Sequence, residues 1–236
     1  MKIAVINFSG NVGKTTVARH LLLPRLDGAE LIAVESLNAD GGPAPALRGR
    51  QFGELQEYLQ TLDSAVVDIG ASNVEELLSL MHRYRGSHED FDGFVVPTVP
   101  ALKQQQDTIA TLAELARLGV PAPRLKLIFN MVEDDTEVAQ VFEPVLAFLA
   151  DRPLAHANPA CRLGVNELYA RIKGIGNDLA ALAGDDTDYK ALIAQARGTA
   201  EKLTLAQKLA TRRLARGVVP ELDACFATLG LMSPPA

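Results

Sequence analysis

The start of the chain constrains it most. An apolar run at residues 3–6 leads into Gly10-Asn11-Val12-Gly13-Lys14-Thr15-Thr16, and a helix-compatible stretch at 17–23 follows, up to Pro24. A strand, a glycine-containing loop, Gly-Lys-Thr and a helix together predict a phosphate-binding loop. Backbone N–H groups of such a loop and of the helix start point at phosphate oxygens, and the helix dipole favours their negative charge. Gly13 lets the backbone approach closely, Lys14 is expected to reach β- and γ-phosphates, and the Thr15 hydroxyl is expected to ligate Mg²⁺. Thr16 is expected to bond the α-phosphate. The strict pattern G-x-x-x-x-G-K-[ST] is not met, because Phe8 stands where it has its first glycine. The alternative is a plain strand-turn-helix with a chance Gly-Lys-Thr, and the apolar strand running straight into the loop argues against it.

A second acid site follows the same logic. Residues 64–72 read Ser-Ala-Val-Val-Asp-Ile-Gly-Ala-Ser. Short apolar strands ending in Asp hold metal-bound water in phosphate-loop proteins, which makes Asp68 the expected metal-side acid. Gly70 is expected to bring its backbone N–H to a γ-phosphate.

Read in the register Ser9-Gly10-Asn11-Val12-Gly13-Lys14-Thr15-Thr16, the loop resembles the variant phosphate loop of the ParA/MinD family of ATPases, usually Lys-Gly-Gly-x-Gly-Lys-Thr-Thr. Val-Val-Asp-x-Gly-Ala around Asp68 is similar to the same family. Within it the chain most resembles the StbB group of plasmid stability proteins, with a fainter likeness to the TraL group of conjugation proteins. The likeness covers about residues 2–156 and is strongest at the loop. It implies a slow Mg-ATP-dependent ATPase switch in plasmid stability, positioning or partition, with a link to conjugation left open. It further implies ATP/ADP and Mg²⁺ as cofactors, a plasmid-encoded DNA-binding partner protein, and a homodimer as an open alternative. Relatives end the fifth strand in an asparagine whose amide reads adenine, and Asn130 stands in that register. Two departures matter. Ser9 replaces a lysine that in relatives reaches a partner's nucleotide, and Glu35-Ser36-Leu37 replaces Asp-x-Asp, whose second Asp helps place the attacking water. Glu35 and Asp40 are the acids open to take that catalytic role beside Lys14 and Asp68.

Apolar and β-rich runs alternate with helical periodicity. Strands are expected at 30–34, 64–69, 93–96 (closed by Pro97 and Pro100), 125–130 and 152–156. Helices are expected at 48–62, 73–85, 101–118 and 136–150, the last kinked at Pro144. Such alternation predicts an α/β fold with a doubly wound, mostly parallel sheet of the P-loop type and a helical C-terminal extension. Gly10 to Thr16, Glu35, Asp68 and Asn130 all fall at strand carboxyl ends, where such sheets bind ligands. A nucleotide-binding domain at 1–184 and a helical extension at 185–236 are expected.

Helices are further expected at 164–173, at 189–216 with a break near Gly198, and at 218–231. Residues 189–217 hold seven Lys/Arg against one acid, Glu201, in a chain of net charge −6. Lys208, Arg212 and Arg216 recur every four residues with Arg213 beside them, a basic line that suits DNA phosphates or an acidic partner as well as plain solvation. The overall charge excludes a generally basic nucleic-acid binder. No 18-residue apolar run spans a membrane and no leader pattern opens the chain, so a cytoplasmic location without membrane insertion is expected. Cys161 and Cys225 lack metal-ligand spacing and read as free thiols. Two rival functions remain open: a non-hydrolysing nucleotide-binding scaffold, and a phosphate-loop kinase or ligase acting on a small metabolite.

Overall fold

A computed structural model describes residues 1–34, 49–133, 137–173 and 178–231. They form two compact units, residues 1–164 with 225–236, and residues 165–224. The expected boundary at 184/185 falls inside the second unit.

The first unit is built on a six-stranded, all-parallel sheet of order β2-β3-β1-β4-β5-β6. Its strands are β1 (Lys2–Val5), β2 (Glu30–Val34), β3 (Ala65–Ile69), β4 (Gly93–Thr98), β5 (Leu125–Val132) and β6 (Arg162–Gly164). The helical segments between them are α1 (Lys14–Thr16), continued by π-helical residues Val17–Leu22, then α2 (Gly49–Gln60), α3 (Val74–Arg83), α4 (Leu102–Arg117), α5 (Val138–Val141) and α6 (Glu143–Asp151). Every residue of β3 and β4 is buried, as expected of parallel strands covered on both faces. Phe94 and Phe129 are fully buried in one apolar cluster, and Phe129 meets Phe142 edge-on at 4.9 Å.

The order places β2 and β3 on one side of β1, and β4, β5 and β6 on the other. The chain reverses its winding at β1, and the crevice outside the carboxyl end of such a strand is the ligand position of doubly wound sheets.

Several elements differ from the sequence reading. Residues 152–156 contribute one isolated bridge, Lys126 to His156, and the sixth strand is Arg162–Gly164. β4 continues through Pro97 to Thr98. A proline inside a central strand normally loses a ladder bond. The last β1–β4 bond runs from Ile6 N–H to Val95 O at 3.0 Å, and one step on the Asn7 side chain donates to Pro97 O at 2.9 Å. Pro24 lies within a 3₁₀ turn, Leu23–Arg25, that prolongs the first helical segment. The expected kink at Pro144 is a break at Phe142, with Pro144 in the first turn of α6, where its missing N–H costs little.

The second unit carries α7 (Leu168–Arg171), α8 (Leu179–Gly184), α9 (Tyr189–Gln195) and most of α10 (Thr199–Leu229). The break near Gly198 occurs, but no second one does. α10 runs 31 residues through Gly217 and Pro220, so the separate helices expected on either side of 217 are one. The residues of α10 from Cys225 onward belong to the sheet unit, where Cys225 and Cys161 lie buried with sulfurs 3.5 Å apart. Among the described residues no helix is long and apolar enough to cross a membrane, and no three His, Cys, Asp or Glu cluster as metal ligands.

Phe94→Ala is expected to cost about 3–5 kcal/mol, because a fully buried ring in a parallel core leaves a cavity that cannot close. Urea unfolding at equilibrium measures it.

Candidate functional site

The loop after β1 is shaped by one glycine. Gly13 has φ +86°, in the left-handed region, and caps α1, with Val17 N–H bonding its carbonyl at 2.9 Å. A Cβ added there would lie 2.1 Å from Asn130 Nδ2. Glycine is thus required twice, by backbone conformation and by space. Asn11 also has positive φ, 58°, as asparagine tolerates better than most residues. Gly10 and Asn11 are exposed, while Val12 is buried and anchors the loop.

Lys14 is 8% exposed. Its ammonium donates to the carbonyls of Ser9 at 2.6 Å and Asn7 at 3.1 Å. Burial lowers its pKa to about 8, opposed by the nearby Asp68 carboxylate. Asp68 is 4% exposed near the end of β3, in register with Val5 of β1. Thr15 Oγ1 donates to Asp68 Oδ2 at 2.7 Å. The structure therefore brings Lys14, Thr15 and Asp68 together across two adjacent strands. Thr16 follows on the same helical turn.

Asn130, buried near the end of β5, joins the same place. Its amide nitrogen donates to Val12 O at 2.8 Å, so in this structure that donor braces the loop. Gly70 follows β3 directly. Its N–H donates to Val34 O at 2.9 Å, which extends the β2–β3 pairing. Glu35 and Asp40 lie outside the described residues.

The sequence reading missed a set of polar residues behind the loop. Asn7 Nδ2 donates to Thr108 Oγ1 at 2.8 Å as well as to Pro97 O, and Thr108 lies 3.0 Å from Thr98 Oγ1. Phe8 N–H donates to Thr111 Oγ1 at 3.1 Å, and the Ser9 hydroxyl donates to Asp107. A signal existed. Gln105, Thr108, Leu112 and Leu115 recur at three- and four-residue spacing as the buried face of α4, and Thr111 is buried beside them. Polar residues at buried helix positions need partners.

In the helical unit the basic line is partly committed. Arg212 Nη1 donates to Asp185 O at 2.9 Å and Thr187 O at 2.6 Å, and its guanidinium lies 4.9 Å from the Tyr189 ring centre. Arg216 donates to Ala183 O at 2.8 Å and Asp185 O at 3.2 Å. Both arginines thus satisfy carbonyls at and just beyond the C-terminal end of α8, where positive charge is favoured. Hydrogen bonds from Thr187 and Tyr189 hold the Asp185 carboxyl down at about 2. Lys208 and Arg213 are exposed.

The fold is that of the MinD and McdA structures. MinD cell division protein of Aquifex aeolicus superimposes with TM-score 0.51 at 12% identity, over 90% of this chain and 96% of that one. The MinC:MinD complex of Aquifex aeolicus gives 0.54 at 12% identity, over 100% and 97%. Apo McdA of Cyanothece gives 0.50 at 15% identity, over 78% and 94%. No protein-family model matches the chain, and no curated protein sequence does. Sheet order and the glycine-shaped loop after β1 together match the phosphate-binding-loop fold of these MinD and McdA structures.

Gly13→Ala is expected to destabilise the protein by at least about 1–2 kcal/mol, the cost of left-handed φ for an L-residue, with more from the collision with Asn130. Combining it with Asn130→Ala should recover part of the collision cost and none of the φ cost, as thermal unfolding of the pair would register. In the helical unit, Arg212→Ala is expected to cost about 1–2 kcal/mol and to speed amide exchange across α8 and α9. Lys208→Ala and Arg213→Ala should leave both readouts unchanged.

Proposed function

We propose that this chain binds Mg-ATP at Gly10–Thr16 and acts as a slow ATPase switch of the ParA/MinD type, in plasmid stability, positioning or partition. The observation that carries the reading is the pairing of the Thr15 hydroxyl with the Asp68 carboxylate beside the buried Lys14, at the sheet's winding reversal. Two adjacent hard oxygen donors suit Mg²⁺.

Within this reading the backbone of Gly10, Asn11, Val12 and Gly13 and the hydroxyl of Thr16 hold the phosphates, and Lys14 neutralises them. Thr15 binds Mg²⁺ directly and Asp68 through water. Gly70 and Asn130 serve the γ-phosphate and the base once nucleotide binding redirects their present bonds, and Glu35 or Asp40 supplies the acid that relatives place after the second strand. Slow turnover follows from Ser9 and the altered Asp-x-Asp. The StbB likeness supports a plasmid-encoded DNA-binding partner and extends to a role in conjugation. The MinC:MinD neighbour is itself a complex of two proteins, which supports a protein partner. Lys208, Arg213 and Arg216 are exposed members of the basic line for DNA or an acidic partner, while Arg212, and Arg216 in part, also hold the backbone beyond α8. A non-hydrolysing scaffold is the second reading, favoured by the Ser9 side chain being tied to Asp107 of the same chain.

The test is ATP binding and hydrolysis with Mg²⁺, with and without DNA, for the wild type and Lys14→Ala. Binding should weaken by about 10–100-fold in the variant, the worth of a charge-assisted bond, and wild-type turnover should rise with DNA. Binding without turnover under either condition would favour the scaffold, and no binding would reject the nucleotide reading. The free protein's Lys14 titrates at about 8, and bound phosphate favours its charged form. Above that pH binding must therefore take up a proton. Affinity should fall as pH rises through about 8, and the fall should be absent in Lys14→Ala.

A further inference from the structure

The polar set behind the loop carries an inference that rests on the nucleotide reading and deepens it. We propose that Asp107 is a positioning residue for the phosphate site, acting through Ser9 on Lys14. Each polar group of Ser9 is engaged. Its N–H donates to Asn7 Oδ1 at 2.8 Å, its hydroxyl donates to Asp107 Oδ2, and its carbonyl accepts from Lys14 Nζ at 2.6 Å. Asn7 is held in turn by Thr108 and Pro97, and its own carbonyl takes a second bond from Lys14 at 3.1 Å. Thr111 accepts from Phe8 N–H while its hydroxyl donates to the Asp107 carbonyl at 2.7 Å.

Three residues of α4, Asp107, Thr108 and Thr111, thus hold the whole segment 7–9, and that segment supplies both carbonyls on which the Lys14 ammonium rests. Ser9 is 6% exposed and Asn7 fully buried, which shields the Asn7 bonds from competing water, while Asp107 is half-buried and its bond to Ser9 is partly shielded. Asp107 also puts a negative charge behind a loop that is to receive phosphates. Taken as charge alone, it opposes binding; taken as the acceptor that orients Ser9, it supports binding. The two roles predict opposite signs.

The experiment is a fluorescence titration of the full chain with Mg²⁺ and the N-methylanthraniloyl derivative of ATP. It compares the wild type, Ser9→Ala, Asp107→Ala, Asp107→Asn and the double variant Ser9→Ala/Asp107→Ala. Positioning predicts that each alanine variant binds about tenfold more weakly, a lost buried hydrogen bond, and that the double variant is no weaker than either. Asp107→Asn, which keeps an acceptor oxygen, should stay within about threefold of wild type. Asp107→Ala binding as tightly as wild type or tighter, additive losses in the double variant, or Asp107→Asn as weak as Asp107→Ala would each overturn the proposal. Should Asp107→Ala not fold, Ser9→Ala decides, and wild-type affinity there overturns it. A wild type that binds no nucleotide removes the nucleotide reading and this one with it, whereas a binding wild type with unaffected variants removes this one alone.

Discussion

The Lys14 ammonium, almost wholly withdrawn from solvent, is the constraint on which the neighbouring structure depends. A buried cation needs oxygen acceptors, and this one finds them in the carbonyls of Asn7 and Ser9 and in the field of Asp68. Those carbonyls belong to a segment that has just left the sheet, so their direction is not set by strand pairing. It is set by side chains of α4 instead. The loop on one side of Lys14 and the helix on the other are parts of a single polar arrangement, inserted where the apolar core ends.

The sheet makes room for that arrangement by how its central strands finish. β1 stops pairing at Ile6, while β4 runs on to Thr98. The resulting gap is filled by the Asn7 side chain, which does the work of a strand where Pro97 offers only an acceptor. On the other side β1 and β3 run in register with Val5 opposite Asp68, so their carboxyl ends lie side by side and Thr15, on the helix after the loop, meets Asp68. Chemistry and topology thus meet at one place. The strand order opens a crevice there, and the loop sequence lines it with donors and a cation.

The helical unit follows a different rule. Its basic line has the spacing of an exposed face, yet two of its four members close the end of α8. Helix spacing says which residues share a side of a helix, and the partner element decides whether that side is wet. In α10 likewise, Gly217 and Pro220 are signals for a stop, and the helix passes through both.

The sequence by itself determined the parallel α/β architecture and the loop, because buried parallel strands are near-continuous apolar runs and a left-handed cap beside a lysine admits few residue types. The glycine loop at 10–16 and the apolar strand that carries Asp68 were legible as local structure for that reason: each is written within a few positions. Tertiary structure decided what spans long separations. Asn130 reaches back 118 residues to Val12, Cys161 meets Cys225 across 64, and Ser9 finds Asp107 across 98. It also decided that the sixth strand lies at 162–164 and that the Gly70 N–H pairs with Val34. Backbone propensity and side-chain period act over a few residues, whereas a hydrogen bond between distant segments exists only once the fold has carried both to the same side of the sheet.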